Sequence, residues 1–551
     1  MLHLRPHALQ PQALQSEALQ PQALRHQALR PQALQPQALP SQVADAGASR
    51  PHYWKSTAVP AASARRIDLE ERVPKLLFVT PEMADFVKVG GLGEVSTALP
   101  RALRQTNDIR VLIPGYRQVV AGRRITEVAR LPPAWDLPGC TIGRMDMADG
   151  LVVYVVLCSE LFERDGTPYG DGRGTDWDDN HIRFARLSLA AAEIARGVAD
   201  IGWRPDVLHL NDWPAGLTAG YLAWHRTPVP TVFTVHNLAY QGLFDAARMA
   251  SIGVPEQAFR MEGIEFYGKM SFLKAGIYYA SHVTTVSATY AREITTPEFG
   301  CGFEGLLRVR ESQNRLSGIL NGVDESWDAS RDPSLAGHFD RRNLQGRRLN
   351  AVETREAFRL GVSQGPLFAI ISRLVQQKGI DLAIEAAEKI VEQGGQIAVT
   401  GQGEPLLEDA LRRLAERHPG QVGVRIGFDE AEARRLFAGS DFLLMPSRFE
   451  PCGLSQMFAQ RYGSLPIAYR TGGLVDTIED GVTGFLFSEL SCSGLMEAVS
   501  RAFDSFSVKK TLLAMRRNAM SRQINWLQSA RRYNDVYERI RTWGVSLPAA
   551  F

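Results

Sequence analysis

"DFLLMPSRFEPCGLSQ", residues 441–456, joins a short apolar run to a polar loop and then to a helical pattern. The run "DFLLMP" has the length of a strand buried on both faces and is too short for an ordinary helix. A plain turn needs only Gly, Pro or Asn, yet this loop carries Arg448, Glu450, Cys452 and Gly453. In open α/β sheets, ligands gather outside the carboxyl ends of the strands. The stretch therefore reads as a strand, loop and helix from a parallel sheet, with the chemistry in the loop.

Units of the same kind recur along the chain. Order begins near "KLLFVTPE", residues 75–82. Candidate strands follow at "IRVLIP", "LVVYVVL", "DVLHL", "PTVFTVH", "HVTTVS" and "RLSGIL", then at "LFAIIS", "QIAVTG", "VGVRIG", "DFLLMP" and "LPIAYR". Amphipathic stretches such as "DLAIEAAEKIVEQ" separate them, which implies an α/β protein with parallel sheets covered on both faces. The natural partition is two doubly wound, Rossmann-like domains, 73–320 and 334–524, joined by a hinge at 321–333 and followed by a last segment, 525–551. A cleft between the two sheets is the expected active site.

The bulk composition narrows what such a cleft would bind. Lys and Arg number 62 against 60 Asp and Glu, so no overall field favours nucleic acid or an anionic membrane surface. Any anion must be held locally. The five cysteines are odd in number, scattered and without a CxxC pair, which favours reduced thiols over a disulfide framework or a zinc site. No apolar run is long enough to cross a bilayer. Residues 1–72 open on a five-residue repeat, "ALQPQ ALQSE ALQPQ", whose period matches neither helix nor strand and whose prolines remove donors. Disorder is expected there. The segment lacks the h-region of a secretory signal and is poor in Ser for a transit peptide, so a cytoplasmic location without plastid import is expected.

Four segments supply candidate binding groups. "KVGGLGEV", residues 88–95, places Lys88 and the pair Gly90 and Gly91 between the first strand and a helix. Glycines allow close backbone approach and helix-start amides suit an anion, although an ordinary Gly-rich turn has the same appearance. "ISRLVQQKGIDL", residues 371–382, sets Arg373 and Lys378 beyond one strand, positioned to meet charge developing on a departing diphosphate. In the opening loop, the amides of Gly453, Leu454 and Ser455 suit phosphate oxygens. Glu450 suits sugar hydroxyls, its alternative being a pair with Arg448, and Cys452 reads as a packed small residue rather than a nucleophile. "YRTGGLVDTI", residues 469–478, offers Thr471, Gly472 and Gly473 for close contact.

The first half completes the set. "LHLNDWPAGLTAGYL", residues 208–222, ends a strand with Asp212, and "TVHNLAYQG", residues 234–242, ends another with His236, Asn237, Tyr240 and Gln241. Each residue alone is equally a structural cap. Together they suggest a carbohydrate site, with Trp213 and Tyr240 as aromatic faces for sugar rings.

These motifs, with "GILNGVD" at 318–324, stand in an order and spacing that resembles bacterial glycogen synthases and plant starch synthases, over residues 75–540. The resemblance implies the GT-B fold and retaining glucosyl transfer from ADP-glucose to an α-1,4-glucan; no cofactor is expected, and no metal, because the paired cations make one unnecessary for neutralising phosphate. It implies that Lys88, Gly90 and Gly91 contact the nucleotide sugar, that Arg373 and Lys378 neutralise its diphosphate, and that Glu450 and His236 hold the hexose. Asp212 matches an aspartate needed for activity. Asn321 belongs to the "GILNGVD" motif, and Phe428 in "IGFDEAEA" stands where an aromatic stacks on adenine. The final segment, "INWLQSARRYNDVYERIRTW", reads as a helix that packs back on the first domain. The chain departs from the family at "NDWP", where Asn211 and Pro214 replace two histidines of "HDWH", at Glu94 in place of the more usual Asp, and at Phe428 in place of Tyr.

Overall fold

A computed structural model describes residues 73–542 except Arg173, Asp200 and Pro228. The repeat-bearing segment 1–72 and residues 543–551 lie outside the described residues. Two large sheets organise the remainder. The first takes β1 (Lys75–Val79), β2 (Asp108–Pro114), β3 (Thr126–Leu131), β4 (Cys140–Asp146), β5 (Val152–Leu157), β6 (Val207–Asn211) and β7 (Thr231–Val235). Three short strands, β8 (Leu243–Asp245), β9 (Glu265–Phe266) and β10 (Lys269–Ser271), form a small antiparallel sheet of their own. The chain then returns to the first sheet with β11 (His282–Thr285) and β12 (Leu316–Gly318).

The strand order of this sheet is β12-β11-β7-β6-β1-β2-β5-β4-β3. Its interior strands are continuous apolar or Thr-rich runs buried throughout, as parallel strands covered on both faces must be. The far edge differs from the all-parallel expectation, because β5 pairs parallel with β2 but β4 runs antiparallel to both of its neighbours, β5 and β3. β3 is largely exposed, and only its last residue, Leu131, is buried.

The second sheet takes β13 (Leu367–Ile371), β14 (Gln396–Gly401), β15 (Val422–Ile426), β16 (Phe442–Met445), β17 (Leu465–Tyr469) and β18 (Phe485–Phe487), all parallel, in the order β15-β14-β13-β16-β17-β18. Alternation along β13 divides the core. Leu367, Ala369 and Ile371 enter the apolar cluster on one face, and Phe368 and Ile370 enter the cluster on the other.

Both sheets reverse strand order beside their first strand, between β1 and β6 in one and between β13 and β16 in the other. Such switch points open a crevice at the carboxyl ends of the strands. The loop after β1 holds Lys88, and the loop after β6 holds Asp212. Arg373 and Lys378 follow β13, and Glu450 follows β16.

The segment read as a hinge is firmly packed. Trp327 stacks on Phe458 with centroids 3.7 Å apart, and the Arg434 guanidinium lies 3.9 Å over its other side. Asp332 accepts from Arg434 at 3.0 Å and also from the Tyr462 hydroxyl. The chain crosses between the sheets a second time after the helix Lys509–Met520, and the two crossings meet in a parallel bridge, Val323 to Asn525. The last helix, Trp526–Thr542, packs against the first sheet. Tyr533, Val536 and Tyr537 enter its core, and the Tyr537 hydroxyl pairs with His209 Nδ1 at 2.7 Å.

Candidate active site

The residues after β13 and β16 come together. Lys378 lies in the single 3-10 turn Gln376–Lys378, which Gly379 ends at φ 66°. A side chain at 379 would strike the Pro446 carbonyl at 2.0 Å, so only glycine brings this turn against the loop after β16. Lys378 Nζ then donates to Glu450 Oε2 at 2.6 Å, and the Ser447 hydroxyl donates to the same oxygen at 3.1 Å. Glu450 does not pair with Arg448, whose guanidinium binds Asp381 at 2.7 and 2.8 Å.

The glycine pair after β17 serves this loop rather than an open surface. Gly473 N donates to the Glu450 carbonyl at 3.0 Å. The Gly472 amide and the Thr471 hydroxyl donate to Glu293 Oε1 at 2.9 and 3.1 Å, across from the first sheet. Thr471, Gly472 and Gly473, expected to offer close contact to a ligand, instead make close contacts within the chain. Cys452 and Asn321 do not line an open surface either. Each is 5% exposed, and they face one another behind the loop. Burial pushes the Cys452 thiol up to about 12, with Asn321 hydrogen bonds opposing the rise, so it is an inert packed group. Gly453, at φ 70°, and Leu454 lead into the short helix Ser455–Arg461, beside the first sheet's glycine loop.

The facing loop begins at β1. Its organiser is Glu82, which is buried, accepts from the amides of Val89 and Gly90 at 2.8 and 3.1 Å, and accepts from the Tyr169 hydroxyl at 2.6 Å. The Gly90 amide is thus occupied, and the helix begins at Gly91, inside the glycine pair. A Cβ on Gly91 would lie 3.8 Å from Leu454 Cδ1, so the two loops approach across the crevice. Lys88 is less free than the sequence suggests. Its ammonium pairs with Glu94, lies 4.0 Å from Glu430 Oε2 and sits 5.6 Å from the centre of the Phe428 ring. Phe428 is 60% exposed, leaving a ring face available to a flat ligand.

The ends of β6 and β7 form the third wall. Asp212 starts the helix Asp212–Trp224 with φ 54°, and its Oδ1 accepts from the His236 amide at 2.7 Å. Asn237 Oδ1 closes a local turn with the Ala239 amide, and Gln241 Nε2 donates to the Cys301 carbonyl at 3.1 Å. Both side chains therefore build the loop. Tyr240 is half exposed, and its hydroxyl accepts from Arg373 Nη1 at 3.1 Å, a direct link from the second sheet to the first. Trp213 does not offer an open face, because Tyr169, Phe184, Phe244 and Phe272 surround it with centroids 4.8 to 6.4 Å away.

Sequence reasoning missed Glu82 and Glu293. Glu82 follows β1 directly in "TPE" and carries the same strand-end signal that selected Asp212. Glu293 ends the helix Ala288–Glu293 and has no signal, since its partners are remote in sequence.

Burial sets the charge states here. His236, His209 and His282 are pushed down to about 3, mainly by desolvation. Asp212 goes the other way, to about 7, mainly by burial, with Glu82 adding to the rise and the amides of His236 and Asn237 opposing it. Each histidine is lower in the folded chain than its ordinary 6.5. Its stabilisation is therefore complete above that value and is lost as pH falls toward about 3. Asp212 lies above its ordinary 3.8, so its stabilisation is present below that value and is lost as pH rises to about 7. Three histidines outweigh one aspartate, so urea midpoints should fall steadily from pH 6.5 downward. Asp212→Asn should steepen that fall, by removing a term that grows on acidification.

Two facing doubly wound sheets, with cationic and glycine-rich loops at both switch points, define a glycosyltransferase of the GT-B type. The starch synthase catalytic domain family matches residues 75–309, and the glycosyl transferases group 1 family matches residues 353–522. The glycogen synthase of Pseudomonas putida is 60% identical over 465 residues, covering 84% of this chain and 90% of that one. The glycogen synthase of Pseudomonas savastanoi pv. phaseolicola is 57% identical over 478 residues, covering 87% and 99%. The catalytic domain of starch synthase IV from Arabidopsis thaliana, solved with ADP and acarbose, superposes with a TM-score of 0.76 at 30% identity, covering 86% of this chain and 100% of that one. The chain belongs to the glycogen synthase family.

Proposed function

We propose that the chain transfers glucose from ADP-glucose to the non-reducing end of an α-1,4-glucan, with retention at the anomeric carbon. The observation that carries this reading is the cationic edge of the second sheet, where Lys378 pairs with Glu450 and Arg373 reaches Tyr240 of the first sheet. A lysine ammonium has three donors. One binds Glu450, which leaves two for phosphate oxygens of the leaving group. Arg373 would exchange the Tyr240 hydroxyl for the same diphosphate, and Lys88 would exchange Glu430 for it. Gly90, Gly91 and the amides of Gly453, Leu454 and Ser455 would line the nucleotide sugar, with Phe428 against the adenine.

On the sugar side, Glu450 would accept from hexose hydroxyls through the oxygen that Lys378 does not take, and His236 would line the ring. Asp212 would act through the His236 backbone. The acceptor hydroxyl attacks from the face the diphosphate leaves, and the leaving phosphate oxygen takes its proton, so no strong protein base is required. Lobes meeting along the crevice would exclude water and suppress donor hydrolysis. The domain limits proposed are 73–320 and 334–524, with the cytoplasm as the setting. A starch synthase relative bound to ADP and acarbose supports both the nucleotide and the glucan-like acceptor.

Competition between labelled ADP-glucose and UDP-glucose, with glycogen as acceptor, tests the donor. Preference for ADP-glucose by about tenfold or more is expected of a pocket that discriminates by contact. Equal use of both donors, or glucan binding without incorporation, refutes the proposal. The same assay on residues 73–551 should give unchanged turnover.

A further inference from the structure

Asn211 is the last residue of β6 and is fully buried. Its side-chain nitrogen donates to the Val79 carbonyl at 3.0 Å. A carbonyl oxygen only accepts, so this bond fixes which way the amide points. The amide oxygen must then face the other partner, His236 Nε2, at 3.0 Å. Since that oxygen also only accepts, Nε2 must carry the proton. Two adjacent residues therefore pin one histidine: Asn211 holds the ring, and Asp212 holds the main-chain amide at 2.7 Å.

We infer that Asn211 is a positioning residue that locks His236 in the Nε2-protonated neutral form and so presents Nδ1 as an acceptor for a hydroxyl of the bound sugar. This role rests on the glucosyl-transfer reading above. Nδ1 makes no hydrogen bond among the described residues, and His236 keeps part of its surface open. The ring needs such a lock because free neutral imidazole samples both tautomers, and the other one would offer a donor at Nδ1 instead. Burial disfavours a second proton, which would also abolish the acceptor. The titratable groups around this corner are Asp212, Glu82 and the buried His209.

A neutral imidazole at position 211 carries one donor and one acceptor, as the amide does. Asn211→His should therefore preserve the lock, whereas Asn211→Leu keeps the approximate volume and loses both bonds. The test uses the full chain with ¹⁵N-labelled histidine, the His236 signal being assigned by its loss in His236→Gln. The native ring should show a proton on Nε2 and a bare Nδ1 from pH 6 to 8. Asn211→Leu should mix the tautomers and lower kcat about tenfold, the worth of one hydrogen bond, with KM for glycogen nearly unchanged. Asn211→His should restore both the spectrum and kcat. A proton on Nδ1 in the native protein overturns the inference, as does native kcat in a folded Asn211→Leu. If Asn211→Leu does not fold, the native spectrum and the Asn211→His variant still decide. Loss of all transfer from the native chain would sink the functional reading alone, because the spectrum reports the tautomer without turnover.

Discussion

Lys378→Ala should lower glucosyl turnover about a thousandfold while glycogen binding changes only a few-fold. The ammonium is placed to meet charge that grows as the sugar–phosphate bond breaks. One such contact at about 4 Å, with an effective dielectric near 20, is worth at most about 4 kcal/mol. Expressed only in the transition state, that is roughly three powers of ten in rate. The same substitution has a second effect, because the Glu450 side chain is 6% exposed and would be left, among the described residues, with only Ser447 as a side-chain partner. Stranding a buried carboxylate costs about 3 kcal/mol or more, so the thermal midpoint should fall too. A companion variant separates the two effects. Adding Glu450→Gln to Lys378→Ala removes the stranded charge and should recover much of the stability while turnover stays low. Recovery of both, or equal losses of turnover and glycogen binding in the single variant, would mean that Lys378 is only structural.

Gly473→Ala is the second large effect. A Cβ there would lie 2.1 Å from the Cys452 carbonyl oxygen and 2.5 Å from the Cys452 Cα, atoms of the main chain that cannot rotate away. The loop 450–452 must retreat, breaking the bond from the Gly473 amide to the Glu450 carbonyl and carrying Glu450 and Lys378 out of register. Misplacing catalytic groups by about 1 Å costs about a hundredfold in rate, and steady-state assay of a folded Gly473→Ala should show at least that. Gly481→Ala is the control. That residue has φ 74° with open space where the Cβ would go, so the change strains one turn by about 1 kcal/mol and should leave turnover intact. Normal activity in Gly473→Ala would show that the loop tolerates movement and does not hold the site in register.

Much of this was legible in the sequence, for one reason. Buried parallel strands are continuous apolar runs, and polar residues at their carboxyl ends have few structural uses, so "DFLLMP" followed by Arg448 and Glu450 declares itself. Two kinds of feature stayed hidden. The strands β3 and β4 are partly exposed and antiparallel, and "TEVARL" has no run of apolar residues to mark it. Pairing was the other. Sequence places Lys378 and Thr471 near a site, but Glu450 and Glu293 reach them through tertiary contacts that no local pattern encodes. The departure at Asn211 was visible as a substitution, and its contact with His236 became clear only when its two partners were seen.

The helix Trp526–Thr542 lends its aromatic face to a sheet whose last strand ends some two hundred positions earlier. A ribosome delivers that helix after every other element described, so the half of the molecule made first is the half completed last. Until then His209 waits without the hydroxyl of Tyr537, and the newborn chain must keep an apolar trough covered by other means. Premature termination near position 525 would therefore harm the amino-terminal half more than the half in which the break occurs.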